Sequence, residues 1–444
     1  MVNPIFSDIF DGNLFDNNTT NGLDSDDLIV LDNGNDSSNG GAGNDLIYGN
    51  GGNDTLVGGT GIDTLNGGDG NDVITSDGDG GIYRGDGGND TLFSGLGSET
   101  MDGGAGTDTI DHTAWGGNYV FNMATGLTDF AGESFINFEN ANMGAGNDSV
   151  TGNASANLIN GGAGNDILNG DAGNDTLVGG TGIDTLNGGD GNDVITSDGD
   201  GGTYRGDGGN DTLFSGLGSE TMDGGAGTDT IDHTAWGGNY VFNMATGLTD
   251  FAGESYINFE NANMGAGNNS VTGNASANLI NGGAGNDTIN GGLGNDTLDG
   301  GLGQDSLTGG AGNDFFRLTE VSLITLPGFA LNTASRDLIT DFSVADDTII
   351  LADSLDSTLV ISPGITGLSF VGGNVPGNVL NAGSFFKGSG EDGRPLGKAS
   401  GIYVNTLDGN IWYNNSTAAG SYLIANVAAG VAAGMTNLDF VYGA

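Results

Sequence analysis

The chain of 444 residues contains no cysteine, which excludes both a disulfide framework and a thiolate metal centre. Basic residues are nearly as scarce: seven Lys and Arg stand against 58 Asp and Glu, a formal net charge of −51. A field of that sign repels nucleic acid and anionic membrane surfaces, so neither is expected as a direct partner. Histidine occurs twice, as His112 and His233. There is no His-Glu-x-x-His zinc motif and no Gly-x-Ser-x-Gly nucleophile elbow. Long hydrophobic runs are also missing: YLIANVAAGVAA at 422–433 holds a glycine and falls short of the ~20 apolar residues of a membrane span. The start, MVNPIFSDIFDG, shows neither the basic nor the apolar region of a cleavable secretory signal.

Glycine, with 91 residues, is abundant and periodic. The nonapeptide Gly-Gly-x-Gly-x-Asp-x-apolar-x recurs from about residue 40 to residue 317, as in GGAGNDLIY at 40–48, GGTGIDTLN at 58–66, GGDGNDVIT at 67–75 and GGLGNDTLD at 291–299. Glycines reach backbone conformations closed to other residues, so the segment turns sharply and points carbonyl oxygens inward. The Asp at the sixth position adds a carboxylate. Carbonyls and carboxylate together make the hard, all-oxygen shell that Ca²⁺ accepts with roughly 6–8 ligands. The apolar eighth position closes each repeat as a short strand whose side chain enters the core. A flexible acidic linker would not keep an apolar residue in register every ninth position.

These motifs are similar to the calcium-binding repeats of RTX (repeats-in-toxin), or hemolysin-type, proteins. The resemblance implies an all-β fold, a parallel β-roll or β-helix solenoid. It implies two nonapeptides per coil, with Asp residues 18 apart pairing along one edge. Asp36, Asp54, Asp72, Asp90 and Asp108 then share one edge, and Asp27, Asp45 and Asp63 the other, which fails at Gly81 and Glu99. A second array holds Asp175, Asp193, Asp211 and Asp229 opposite Asp148, Asp166 and Asp184, failing at Gly202 and Glu220. A third pairs Asp287 with Asp305 and Asp296 with Asp314. Adjacent members make thirteen calcium sites, enough to bring the formal charge to about −25. Such metal binding is expected to supply folding free energy that the few apolar side chains of the repeats do not.

Residues 40–160 and 161–281 are tandem copies of a 121-residue unit, with a partial third copy at 282–317. Their differences include Ile82/Thr203, Phe135/Tyr256 and Asp148/Asn269. An amide offers one oxygen and no charge, so the edge at Asn269 is expected to bind calcium more weakly. Because 121 is not a multiple of nine, each unit must hold something else. That is 112–142 and its counterpart 233–263, where Tyr119, Phe121 and Met123 alternate with Val120 and Asn122, a strand pattern. Similar segments in serralysin-type C-terminal domains form wider coils. The aromatics are read first as core of such a coil and second as an exposed face for self-association or for a surface polymer.

The expected organisation is an N-terminal segment 1–21, a calcium-binding roll 22–317, and a smaller β-rich module 318–444 that caps the repeats. Glycine thins from 318 onward, and four of the seven basic residues, Arg336, Lys387, Arg394 and Lys398, appear there. The stretch 415–444 carries one charged residue, Asp439, compatible with the uncleaved signal that RTX proteins present to a type I exporter. No catalytic residues are identified, and each histidine reads as a structural residue beside Trp115 or Trp236. The expected role is a secreted calcium-binding structural protein of the cell surface or matrix, forming a homo-oligomer or surface lattice. The alternative is a calcium-dependent adhesin for polysaccharide or another surface. A hemolysin-like effector would need a membrane-inserting apolar domain that this sequence lacks.

Overall fold

The computed structural model describes residues 9–11, 19–95, 97–216, 218–319, 337–352, 378–380, 382, 385–388, 401–414 and 421–443. Arg336, Arg394 and Lys398 lie outside them, as do most of the N-terminal segment 1–21 and residues 415–420 and 444 of the expected export signal. The chain divides into two compact units, Met1–Gly227 and Thr228–Ala444.

The fold is an all-β parallel solenoid. In the first unit the strands Leu28–Val30, Leu46–Gly51, Asp63–Asp69, Gly81–Gly87, Glu99–Asp102 and Ser134–Ile136 stack as one parallel sheet. Ser37–Ala42, Thr55–Thr60, Val73–Thr75, Thr91–Phe93 and Thr109–Asp111 form the other. The register within each stack is 18 residues, as in Leu46↔Thr64 and Thr55↔Val73. Two nonapeptides therefore make one coil. Each contributes one central apolar side chain to the interior: Ile29, Ile47, Leu65, Tyr83 and Met101 from one sheet, and Leu56, Ile74, Leu92 and Ile110 from the other, all at most 1 % exposed.

Glycine is required where coils touch. Gly59 has φ +91, and a Cβ there would lie 2.0 Å from the carbonyl oxygen of Gly41 in the coil before. At the matching step of other coils Asn50 and Asp86 take the left-handed conformation instead (φ 70 and 68), which their short polar side chains tolerate.

The insert explains the 121-residue period. Thr109 pairs with Asn140, 31 residues on, so this coil exceeds the 18-residue coils by 13. The stack through Thr109–Asp111, Asn140–Asn142 and Leu158–Asn160 runs on unbroken. The opposite sheet does not. It ends at Ser134–Ile136, and a new one begins at the antiparallel hairpin Val120–Asn122/Leu127–Thr128, continuing through Ser149–Thr151, Ile167–Ala172 and Asp184–Asp190. Tyr119, Phe121, Phe135 and Phe138 fill the widened interior at 1–2 % exposure, as the core reading expected, while Phe130 stays partly exposed.

The second unit repeats this plan, with Val241–Asn243 and Leu248–Thr249 as its hairpin. Its parallel stacks extend beyond the nonapeptides. Phe315–Leu318 pairs with Thr348–Ala352 and that strand with Phe440–Gly443. On the other face Ser306–Ala311 pairs with Asp337–Ile339, which meets Ser421–Asn426. Antiparallel pairing of Ser421–Asn426 with Asn410–Asn414, and of that with Gly401–Asn405, then interrupts the parallel pattern, and Phe385–Gly388 joins Gly401–Asn405 in parallel. Among the described residues no helix is long and apolar enough to cross a membrane.

Candidate calcium sites

Each sixth-position Asp sits in the turn before its strand or, as Asp63 and Asp184 do, at the strand's first residue, and is buried. Twelve of the thirteen Asp pairs expected at spacing 18 are in contact, the backbone N–H of one donating to Oδ1 of the next at 2.7–3.0 Å. On the first two edges these are Asp27–Asp45–Asp63 and Asp36–Asp54–Asp72–Asp90–Asp108. In the second array they are Asp148–Asp166–Asp184 and Asp175–Asp193–Asp211. In the third they are Asp287–Asp305 and Asp296–Asp314. The remaining pair, Asp211 and Asp229, has its members in different units.

The second carboxylate oxygen is the informative atom. In Asp45, Asp54, Asp63, Asp72, Asp90, Asp108, Asp166, Asp175, Asp184, Asp193, Asp287, Asp296 and Asp305, Oδ2 is buried with no hydrogen-bond donor. An orphaned buried carboxylate oxygen is costly. It faces more oxygen. A Cβ built on Gly49 would lie 2.3 Å from Asp54 Oδ2 and 2.4 Å from the Gly67 carbonyl oxygen. The same arrangement joins Gly40 to Asp45 Oδ2 and Gly58 O (2.3 and 2.4 Å), and Gly170 to Asp175 Oδ2 and Gly188 O (2.3 and 2.5 Å). The first glycine of the repeat thus leaves open a cradle that any side chain would fill. Among the described residues no three carboxylate or imidazole groups converge; the oxygens gathered at these turns are one carboxylate oxygen and a backbone carbonyl, hard donors of the kind Ca²⁺ accepts.

The electrostatics agree. Burial, opposed in part by the N–H bond and reinforced by neighbouring Asp charges, pushes Asp54 up to about 7 and Asp63, Asp90 and Asp108 up to about 6. Burial likewise raises Asp287 to about 7 and Asp166 and Asp193 to about 6. Ionising these groups together calls for a cation.

Where the Asp pattern stops, the structure substitutes other chemistry. Glu99 is fully buried and is solvated by the Ser76 hydroxyl and the Gly95 N–H; burial raises it to about 7. Several ladder positions escaped the 18-residue spacing. Asp108 N–H donates to Glu139 Oε2, and Asp229 N–H to Glu260 Oε2, each 31 residues on. Asp305 N–H reaches Asp337 Oδ1 and Asp314 N–H reaches Asp347 Oδ1, 32 and 33 residues on. For Asp337 and Asp347 the available signal was the bare Asp-x-apolar of DLI and DTI, without the glycines. A second ladder runs outside the first: Oδ1 of the fifth-position Asn accepts the N–H one coil later, through Asn35, Asn53, Asn71 and Asn89. This gives the recurrent Asn of Gly-Asn-Asp a structural task.

His112 is buried, its Nδ1 bonded to the Ser94 hydroxyl and its ring 4.0 Å from that of Tyr119. Burial lowers it to about 4, so it is neutral at physiological pH, as a structural histidine would be.

A profile of the RTX calcium-binding nonapeptide repeat (4 copies) matches residues 14–47, 48–83, 77–110, 144–177, 169–204, 198–231, 265–298 and 290–318, together more than half of the chain. No curated protein matches it. Among solved structures, a hyperactive, Ca²⁺-dependent, β-helical antifreeze protein from an Antarctic bacterium is similar at 20 % identity, over 68 % of this chain and 84 % of that one, with a TM-score of 0.17. The chain belongs to the family of RTX calcium-binding nonapeptide repeat proteins.

Proposed function

We propose that the chain is a secreted structural protein of the cell surface or extracellular matrix, whose roll at 22–317 folds on binding about thirteen or more calcium ions after type I export. The observation that carries this reading is the register of buried, donor-free Asp Oδ2 atoms, which at Asp45, Asp54, Asp90, Asp166 and Asp175 share the open face of a glycine with a glycine carbonyl of the next coil. Its ligands are the nineteen aspartates from Asp27 to Asp314 named above, each joined by backbone carbonyls. Asp337 and Asp347 extend the set into 318–444, which serves as cap and export module. No residue is assigned a catalytic role: the buried carboxylates are used up by the repeats, and His112 is tied to Ser94.

Millimolar calcium outside cells matches the affinity of extracellular calcium modules, and the exporter reads the C-terminal segment in the unfolded, calcium-free chain. Deleting 415–444 tests the export step. Secretion of the truncated chain at the wild-type level contradicts it; loss of secretion with calcium-induced folding retained supports it.

A second reading, the polysaccharide adhesin, is favoured by one feature. Asn169, Asp171, Asn187, Gly189, Arg205 and Asp207 line an open groove of about 470 Å³ on the first unit. Asn187 Nδ2 donates to Asn169 Oδ1 and Arg205 Nη1 to Asn187 Oδ1, a polar surface suited to hydroxyl-rich ligands. Imaging the calcium-loaded protein for ordered lattices separates the two: a lattice supports the structural role, and a dispersed protein that binds glycan through Arg205 supports the adhesin.

A further inference from the structure

The duplicated units differ at one ladder position, Asp148 in the first and Asn269 in the second. Their surroundings match. Oδ1 of Asp148 accepts the Tyr119 N–H at 2.8 Å, and Oδ1 of Asn269 accepts the Tyr240 N–H at 3.1 Å. Each residue's own N–H donates to the next Asp, Asp166 or Asp287. The other branch of the side chain is where they part.

In Asn269 that branch is an NH₂ group, and it donates to two backbone carbonyls, Gly265 O at 3.3 Å and Gly282 O at 3.0 Å. Those carbonyls stand four residues before and thirteen after the side chain. The thirteen-residue relation is the one that links Asp54 to Gly67 O and Asp45 to Gly58 O in the calcium cradles. The orientation of the amide is fixed by its partners, since a backbone N–H needs the oxygen and two carbonyls need the donors. Asn269 is 3 % exposed, so water does not compete for these bonds. A cation at this turn would meet the amide N–H groups pointing at it, and rotating the amide would set its NH₂ against the Tyr240 N–H.

We propose that the Asn269 turn holds no calcium: the side-chain amide ties together the carbonyls that its aspartate counterpart leaves for an ion. This goes further than the expected weaker site, and it rests on the calcium reading of the other turns. The junction at 264–282 is then closed without metal, whereas the equivalent junction at 143–161 needs it.

Native mass spectrometry of the full chain in saturating calcium counts the ions. Asn269→Asp is expected to add one ion and Asp148→Asn to remove one. Asn269→Ala leaves the count at the wild-type value, and far-UV circular dichroism confirms that the variants are folded. An unchanged count in folded Asn269→Asp, or the loss of an ion in Asn269→Ala, overturns the proposal. Failure of the calcium reading itself looks different, because wild type would then carry no stoichiometric ions at all.

Discussion

Asp72 combines three tasks in one side chain and its backbone. Its Oδ1 accepts the Asp54 N–H, its own N–H donates to Asp90, and its Oδ2 lies buried near the open face of Gly67. Asp72→Ala therefore strands a buried N–H as well as removing a proposed ligand, a loss of about 1–3 kcal/mol from the hydrogen bond alone. Asp24 is exposed, and Asp24→Ala should leave the calcium-loaded melting temperature nearly unchanged. Equal shifts for the two, measured by calorimetry in millimolar calcium, would contradict the register. Glycine offers a second contrast. Gly49→Ala places a methyl group 2.3 Å from Asp54 Oδ2, whereas a Cβ on Gly116 meets nothing within 4 Å. Gly49→Ala is expected to weaken calcium-induced folding and Gly116→Ala to leave it intact, read as the calcium midpoint of the β signal. The Asp positions were legible because nine-residue spacing and glycine context mark them together. Glu139, Asp337 and Asp347 were not, because an intervening segment changes their spacing to 31, 32 and 33 and the glycines are gone.

At the scale of elements the insert shows what alternation can and cannot tell. Tyr119, Phe121 and Met123 face inward and Val120 outward, as their period of two requires. That one sheet ends and another begins there was not legible. It depends on a tight turn in which Gly126, at φ +70, donates to the Asn122 carbonyl, and on Ser134–Ile136 reaching back to Glu99–Asp102. Such non-local pairing leaves no period in the sequence. Because Phe121 is 1 % and Phe130 39 % exposed, Phe121→Ala should cost about 3–5 kcal/mol and Phe130→Ala far less. Denaturant unfolding in calcium distinguishes them, and equal losses would place the hydrophobic load of the insert elsewhere.

For the whole molecule, a net charge of −51 and a ladder of buried carboxylates set the dependence on pH and metal. In metal-free buffer the raised Asp54, Asp72 and Asp287 groups, at about 7, 6 and 7, favour the protonated folded state. Their stabilising effect is complete below the ordinary carboxylate value near 4 and is lost as pH rises through about 6–7. Calcium reverses the trend, because its ligands must be deprotonated and protons compete with it. Fluorescence titrations with and without calcium should therefore slope in opposite directions between pH 4 and 7; parallel slopes would contradict the site chemistry. The central claim is that the aspartate ladder makes calcium a condition of the fold. Far-UV circular dichroism of the full chain at neutral pH tests it most directly, first in chelator and then after millimolar Ca²⁺ or Mg²⁺. A coil-like spectrum in chelator that becomes β-rich with Ca²⁺, and much less so with Mg²⁺, is the predicted result. A full β signal in chelator would contradict it.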